Sequence, residues 1–345
     1  MLEDYLAGTE VETVPAYDFA GCVALEHRAF EQEDLDDIPG LTEVIKEQFR
    51  TALTLCDEEL LSFARFAAEI SADRKPIPVD MPHGYWTFYK NGFVYLFSWE
   101  GSDYLVLPDE LARVYNETLA DADFPARNKH NLELASYATA LLNLYGYYEI
   151  GQFVEVWNHH HKEKIEYKDA EKFLSDLANF HSNYFFDEDC VVHDCLDDDE
   201  FDDLYETVSE MDYYMPTKSV IAAHSEPDEK FYDTTPGAED LQTFLAGIIT
   251  DELVLDDLRI GLYMSCQRLE SAESVLEQLE DADFPLDDRD AVLKFERLYQ
   301  NLRYNTHIWV IRGFTPYQYE IETGNQIKRF SFAQSGKKSG KQNLR

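Results

Sequence analysis

The chain has 345 residues, of which 69 are acidic and 29 basic, for a formal net charge of −40. Hydrophobic residues make up 45% and aromatics 14%, enough material for packed cores, which excludes a disordered acidic chain. A charge of this sign repels phosphate backbones and anionic lipid surfaces; it suits basic protein partners or cations, unless it serves only as a solubility surface.

The five cysteines, Cys22, Cys56, Cys190, Cys195 and Cys266, are odd in number and scattered, so no disulfide framework is expected. The opening MLEDYLAGTEVETV has neither a basic nor an apolar stretch of the signal-peptide kind. No apolar run reaches the about 20 residues that span a bilayer. The expected setting is a reducing cytoplasm with no membrane association.

In chain order, residues 1–82 form an acidic helical region. Leu41 to Ile70 is helical with a break at Thr54–Cys56, and Asp57 is the expected N-cap of the second piece, where Leu60, Leu61, Phe63, Phe66 and Ala67 recur at helical spacing. Residues 83–126 carry the clearest strand signal. Asn91-Gly92 and Glu100-Gly101-Ser102 read as turns between aromatic and β-branched runs. They predict a three-stranded β meander over Tyr85–Tyr89, Phe93–Trp99 and Tyr104–Leu107, followed by a helix opened by Pro108-Asp109-Glu110.

Residues 127–215 read as a winged-helix-like domain. Three helices are expected, over Leu132–Tyr145 with Gly146 as the stop, Ile150–His160 and Lys168–His181. Tyr184–Phe186 and Cys190–His193 then pair as a wing with Asp187, Glu188 and Asp189 at its tip. Behind the wing every charged residue to Asp212 is acidic, and Phe201, Leu204, Tyr205, Val208 and Met211 recur at helical spacing. That pattern predicts an amphipathic helix with an acidic outer face. Residues 216–318 form a C-terminal α-helical domain, bundled from Ala238 to about Leu302. Residues 319–345 are a basic tail, acid-free after Glu322, with Lys328, Arg329, Lys337, Lys338, Lys341 and Arg345. The pentapeptide DADFP occurs at Asp121–Pro125 and at Asp281–Pro285, and reads as the same local helix-to-helix solution used twice.

No catalytic residues emerge. Gly-x-Ser-x-Gly, phosphate-binding and dinucleotide-binding glycine motifs are absent. His159-His160-His161 lacks the His-Glu-x-x-His spacing of a hydrolytic zinc helix and reads as a solvated helix end. Cys190, His193 and Cys195 lack the second pair that a closed tetrahedral zinc site needs. The run Asp197, Asp198, Asp199, Glu200, Asp202 and Asp203 lacks the calcium-loop alternation. No cofactor or metal is expected. The third helix mixes Lys168 and Lys172 with Glu166, Asp169, Glu171 and Asp176, which argues against direct duplex DNA binding.

Several segments resemble a family of uncharacterised proteins of low-GC Gram-positive bacteria and their phages. That family is related to proteins bearing a SEC-C zinc motif or a Rho-termination-factor N-terminal-like helical module. The segments are LSFARFAAEI, YLVLPDELARVY, LLNLYGYYEIGQFVEVWN, YFFDEDCVVH, YYMPTKSVI with KFYDTTPGAEDLQTFL, and NTHIWVIRGFTPYQ, together spanning Leu60 to Gln318. The resemblance implies the architecture. SGKKSGK stands where the SEC-C cysteines would be, so zinc does not carry over.

The expectation is therefore a mainly α protein with small β content (α+β) and a non-enzymatic, regulatory role. Its acidic face of Asp187, Glu188, Asp189, Asp197, Asp198, Asp199, Glu200, Asp202 and Asp203 would engage a basic partner, in the sharpest form as a nucleic-acid mimic. The alternatives are nucleic-acid association through the basic tail, or a metal-dependent enzyme.

Overall fold

The computed structural model describes residues 38–78, 81–99, 102–180, 183–225, 235–281, 286 and 288–324. Cys22, the second DADFP beyond Asp281 and all six basic tail residues, Lys328, Arg329, Lys337, Lys338, Lys341 and Arg345, lie outside them. The described chain is mainly helical with two small antiparallel sheets, as expected. It forms two compact units. One takes the residues up to Ala135 together with those from Glu171 to Ser182, and the other takes Ser136 to Ala170 and the residues from Asn183 onward.

The first unit holds α1 (Ile38–Leu55), α2 (Glu58–Asp73), α3 (Tyr85–Lys90), a hairpin of β1 (Tyr95–Trp99) and β2 (Ser102–Val106), and α4 (Asp109–Ala120). It also holds parts of two helices that continue into the second unit, α5 (Phe124–Tyr145) and α7 (Tyr167–Phe180). Asp57 caps α2 as expected, accepting the Leu60 N–H at 2.8 Å. The break before it strands carbonyls at Thr54 and Cys56, and Asn128 on α5 donates to both, at 3.1 and 2.8 Å. Ser71 ties α2 to the hairpin: its hydroxyl donates to the Leu105 carbonyl and accepts the Leu107 N–H.

The three-stranded meander is corrected to a two-stranded hairpin. Tyr85–Lys90 is a helix, although its residues favour strands. Phe88 enters an aromatic core, with Phe63 at 5.2 Å and Phe180 at 6.1 Å between ring centroids, and Phe49 and Phe93 meet at 5.0 Å. Helical curvature turns Phe88 into that core and leaves Trp86 outside it, 64% exposed. Asn91-Gly92 does mark a turn, but of another kind. Phe93 N–H donates to Phe88 O and Gly92 N–H to Tyr89 O, the two bonds of a Schellman helix end, with Gly92 at φ 68°.

The second unit is built on the sheet β3-β5-β4, formed by β3 (Tyr147–Glu149), β4 (Tyr184–Asp187) and β5 (Cys190–His193). The expected β4–β5 pairing is present, in the register Phe185↔Val192. The strand β3 was not expected, since three residues between two helices leave no alternation to detect. Gly146 ends α5 at φ 75°, and a Cβ there would lie 2.6 Å from the Trp309 ring, so the stop signal is also a packing requirement. Both faces of the sheet are covered. Tyr148 stacks on Phe153 of α6 (Ile150–His160) and reaches the Ala138 carbonyl of α5. On the opposite face Tyr147, Cys190 and Val192 share a core with Phe201, Leu204 and Val208 of α8 (Asp198–Val208) and with the 3-10 turn Trp309–Ile311.

After the short α9 (Lys218–His224) come α10 (Ala238–Ala246), α11 (Glu252–Gln267), α12 (Ala272–Asp281) and α13 (Arg289–Asn305). These four share a second core around Leu241, Tyr263, Phe295 and Tyr299. The last described element is α14 (Pro316–Thr323), with Thr315 and Gln318 in a capping box.

Candidate functional site: an acidic face and the buried arginine behind it

Two groups make up the predicted acidic face. Asp187, Glu188 and Asp189 occupy the exposed β4–β5 turn, where Glu188 takes φ 51°. The others lie at the start of α8, whose apolar side, Phe201, Leu204 and Val208, is buried against the sheet. That burial fixes which carboxylates face out. Asp198, Asp199, Asp202 and Asp203 are exposed, as is Glu206 further along the helix. Their side chains have no hydrogen-bond or ion-pair partner among the described residues.

Two of the predicted residues are engaged in holding the helix. Asp197 is the N-cap, accepting the Glu200 N–H at 2.8 Å, and Glu200 accepts the Asp197 N–H in return at 3.2 Å. Glu200 also pairs with Arg268 at 3.2 Å. The helix dipole favours all of these acids in the first turn, so local structure explains Asp197 and Glu200 but not the run of acids further along.

Behind α8 lies a group absent from the expected sites. Arg312, 1% exposed, follows the 3-10 turn with φ 52°. Its Nε donates to the Val208 carbonyl at the end of α8, at 3.1 Å. One terminal nitrogen donates to the Tyr213 hydroxyl, which in turn donates to Glu149. The other lies 3.3 Å from Glu149 Oε1 on β3. The guanidinium also sits over the rings of Tyr213 and Tyr147, at 4.0 and 4.6 Å. One cation thereby joins β3, the end of α8 and the segment after it. The signal in the sequence is a lone arginine inside the apolar run Trp309–Phe314, since a charge in such a run must be paired.

The histidine triple packs instead of trailing into solvent as a whole. The His161 ring stacks on Trp157 at 3.8 Å. His160 lies between the Tyr137 hydroxyl (2.9 Å) and the Pro216 carbonyl (3.0 Å), and burial lowers its pKa. Only His159 is exposed. Among the described residues no three His, Cys, Asp or Glu side chains converge as a metal-ligand group. Burial pushes the Cys190 and Cys266 thiols up to about 12, so neither is a thiolate at neutral pH.

Of the described helices none is long and apolar enough to cross a membrane. Comparison with protein families, curated proteins and solved structures finds no match to this chain.

Proposed function

We propose that the chain is a non-enzymatic interaction protein of the cytoplasm that uses the outer face of α8 and the β4–β5 turn to engage a basic partner. The observation that carries this reading is the row Asp198, Asp199, Asp202 and Asp203, exposed and without a side-chain partner among the described residues, on a helix whose other side is fixed in a core. The helix dipole favours Asp198 and Asp199 in the first turn, but like charges four residues apart on one helix face cost stability, so a binding role accounts for Asp202 and Asp203 where a folding role does not. The sharper version is a nucleic-acid mimic: regularly placed carboxylates occupying a groove that normally takes phosphates.

A winged-helix-like module is part of the proposal. The order α5-β3-α6-α7-β4-β5 and the strand order β3-β5-β4 support it. In that reading α7 is the helix that would enter DNA. Its Lys172 is paired with Asp176 at 2.7 Å, and Asp169 and Glu171 are exposed beside it, which favours a surface that avoids duplex DNA. Kinship with the SEC-C-related family belongs to the same proposal.

The test is a pull-down from lysate at low salt, comparing the full chain with Asp198→Lys/Asp199→Lys/Asp202→Lys/Asp203→Lys. A basic protein retained by the first, lost by the second and released by salt is the expected result. Equal retention by both removes the acidic face from the function. The acid-free sequence after Glu322 favours a second reading, nucleic-acid association through Lys328, Arg329, Lys337, Lys338, Lys341 and Arg345. A gel shift by the full chain that is lost in a chain ending at Thr323 would support it, and no shift by either would end it.

A further inference from the structure

The bundle side of the second unit contains a groove of about 490 Å³, within the usual range for small-ligand pockets. Arg303, Tyr304, Gln300 and Asn301 from α13, Glu320 from α14 and Leu269 beyond α11 line it. Arg303 stands apart from the other partly or fully buried arginines of this unit. Arg259 pairs with Asp256, Arg268 with Glu200 and Arg312 with Glu149. Arg303 has no carboxylate partner among the described residues, in a chain where acids outnumber bases 69 to 29. Its Nη2 donates to the Leu269 carbonyl at 3.2 Å, and its buried Nε has no acceptor among the described residues, a feature it shares with Arg268, so what sets it apart is the missing carboxylate. A partly buried guanidinium left short of acceptors is less well satisfied than one paired with a carboxylate.

Glu320 lines the same groove and does not neutralise Arg303. Its Oε2 accepts the Tyr304 hydroxyl at 2.8 Å, and no partner among the described residues takes its Oε1. The groove therefore offers a fixed cation and a fixed anion, each with unused hydrogen-bonding capacity, flanked by the amides of Gln300 and Asn301. A ligand bearing only a negative charge meets the repulsion of a molecule at −40, and a purely cationic one leaves Arg303 unanswered.

We propose that this groove binds a small zwitterion of the α-amino-acid type. The ligand's carboxylate meets the Arg303 guanidinium, whose planar fork suits carboxylates, and its ammonium meets Glu320. The Tyr304 ring, half-exposed at the rim, covers the ligand's side chain.

The test is a thermal-shift screen of the full chain against the free L-amino acids, followed by titration calorimetry. Acetate and methylamine serve as single-charge probes. The expected result is saturable binding of at least one amino acid, with Kd on the order of 1 mM or tighter. Acetate and methylamine should bind at least tenfold more weakly. Glu320→Gln, which keeps an acceptor for Tyr304, should weaken binding at least tenfold, as should Arg303→Gln; the melting of each variant reports its own folding. Binding of no amino acid, binding of acetate as strong as that of the amino acid, or undiminished binding by folded Glu320→Gln would each overturn the proposal.

Discussion

Arg312 ties β3, the end of α8 and the segment after it together through one buried side chain. Its side chain is 2% exposed and that of its partner Glu149 31%, so the two ends of the pair differ in how they answer substitution. Replacing Glu149 with leucine strands a buried cation and is expected to cost about 3–5 kcal/mol; the double change Arg312→Met/Glu149→Leu should recover part of that loss. Urea unfolding midpoints of the two variants check this, and a double variant weaker than the single would show that the tyrosine contacts outweigh the ion pair. A second residue-scale device is the pair His224 and His307, with rings 5.1 Å apart. Burial, with His224 beside it, lowers the His307 pKa to about 4. The Tyr214 ring and the Gly313 carbonyl complete its surroundings. Its folded value lies below its unfolded one, so the unfolded chain binds the proton first. Its stability contribution is full above about pH 6.5 and is lost as pH falls toward 4, on the order of 3 kcal/mol. Between pH 7 and 4 the wild type should lose more melting temperature than His307→Gln, the difference isolating this histidine from the titration of the surface carboxylates.

At the scale of elements, α8 separates acids that build the helix from acids that face out. Asp197→Ala removes the N-cap and is expected to cost about 1 kcal/mol, whereas Asp202→Ala should change stability by less than about 0.5 kcal/mol. Thermal melts of the two variants decide it, and equal losses would mean that the outer face is structural after all. The amphipathic pattern at Phe201, Leu204 and Val208 is readable in the sequence because a helix buried on one side imposes its period on the chain. The helix α3 is not readable, because Tyr85-Trp86-Thr87-Phe88-Tyr89 favours strands locally and the ring cluster it joins draws Phe49, Phe63 and Phe180 from positions distant in sequence. The Asn91-Gly92 signal is right about reversal and silent about its type, since a helix end and a hairpin turn both need a residue at positive φ. The acidic face is legible as composition, but which acids are spent on capping and on Arg268 is not.

For the whole molecule, the net charge of −40 sets the response to salt. Self-repulsion of that size is screened as the Debye length shrinks from about 30 Å at 0.01 M salt to about 8 Å at 0.15 M. The melting temperature is therefore expected to rise over that range, and a fall would show that local ion pairs outweigh the net field. The sequence by itself determined the mainly helical class, the caps and stops at Asp57 and Gly146, the β4–β5 hairpin and the sign of the surface, because each depends on neighbours within a few residues. Only the tertiary structure decided that Tyr85–Lys90 is helical, that β3 completes a sheet covered on both faces, that Arg312 reaches Glu149 and that Arg303 has no carboxylate partner among the described residues. Those outcomes depend on residues up to 163 positions apart, as for Glu149 and Arg312, and burial rather than local preference selects among conformations that the local sequence leaves nearly equal.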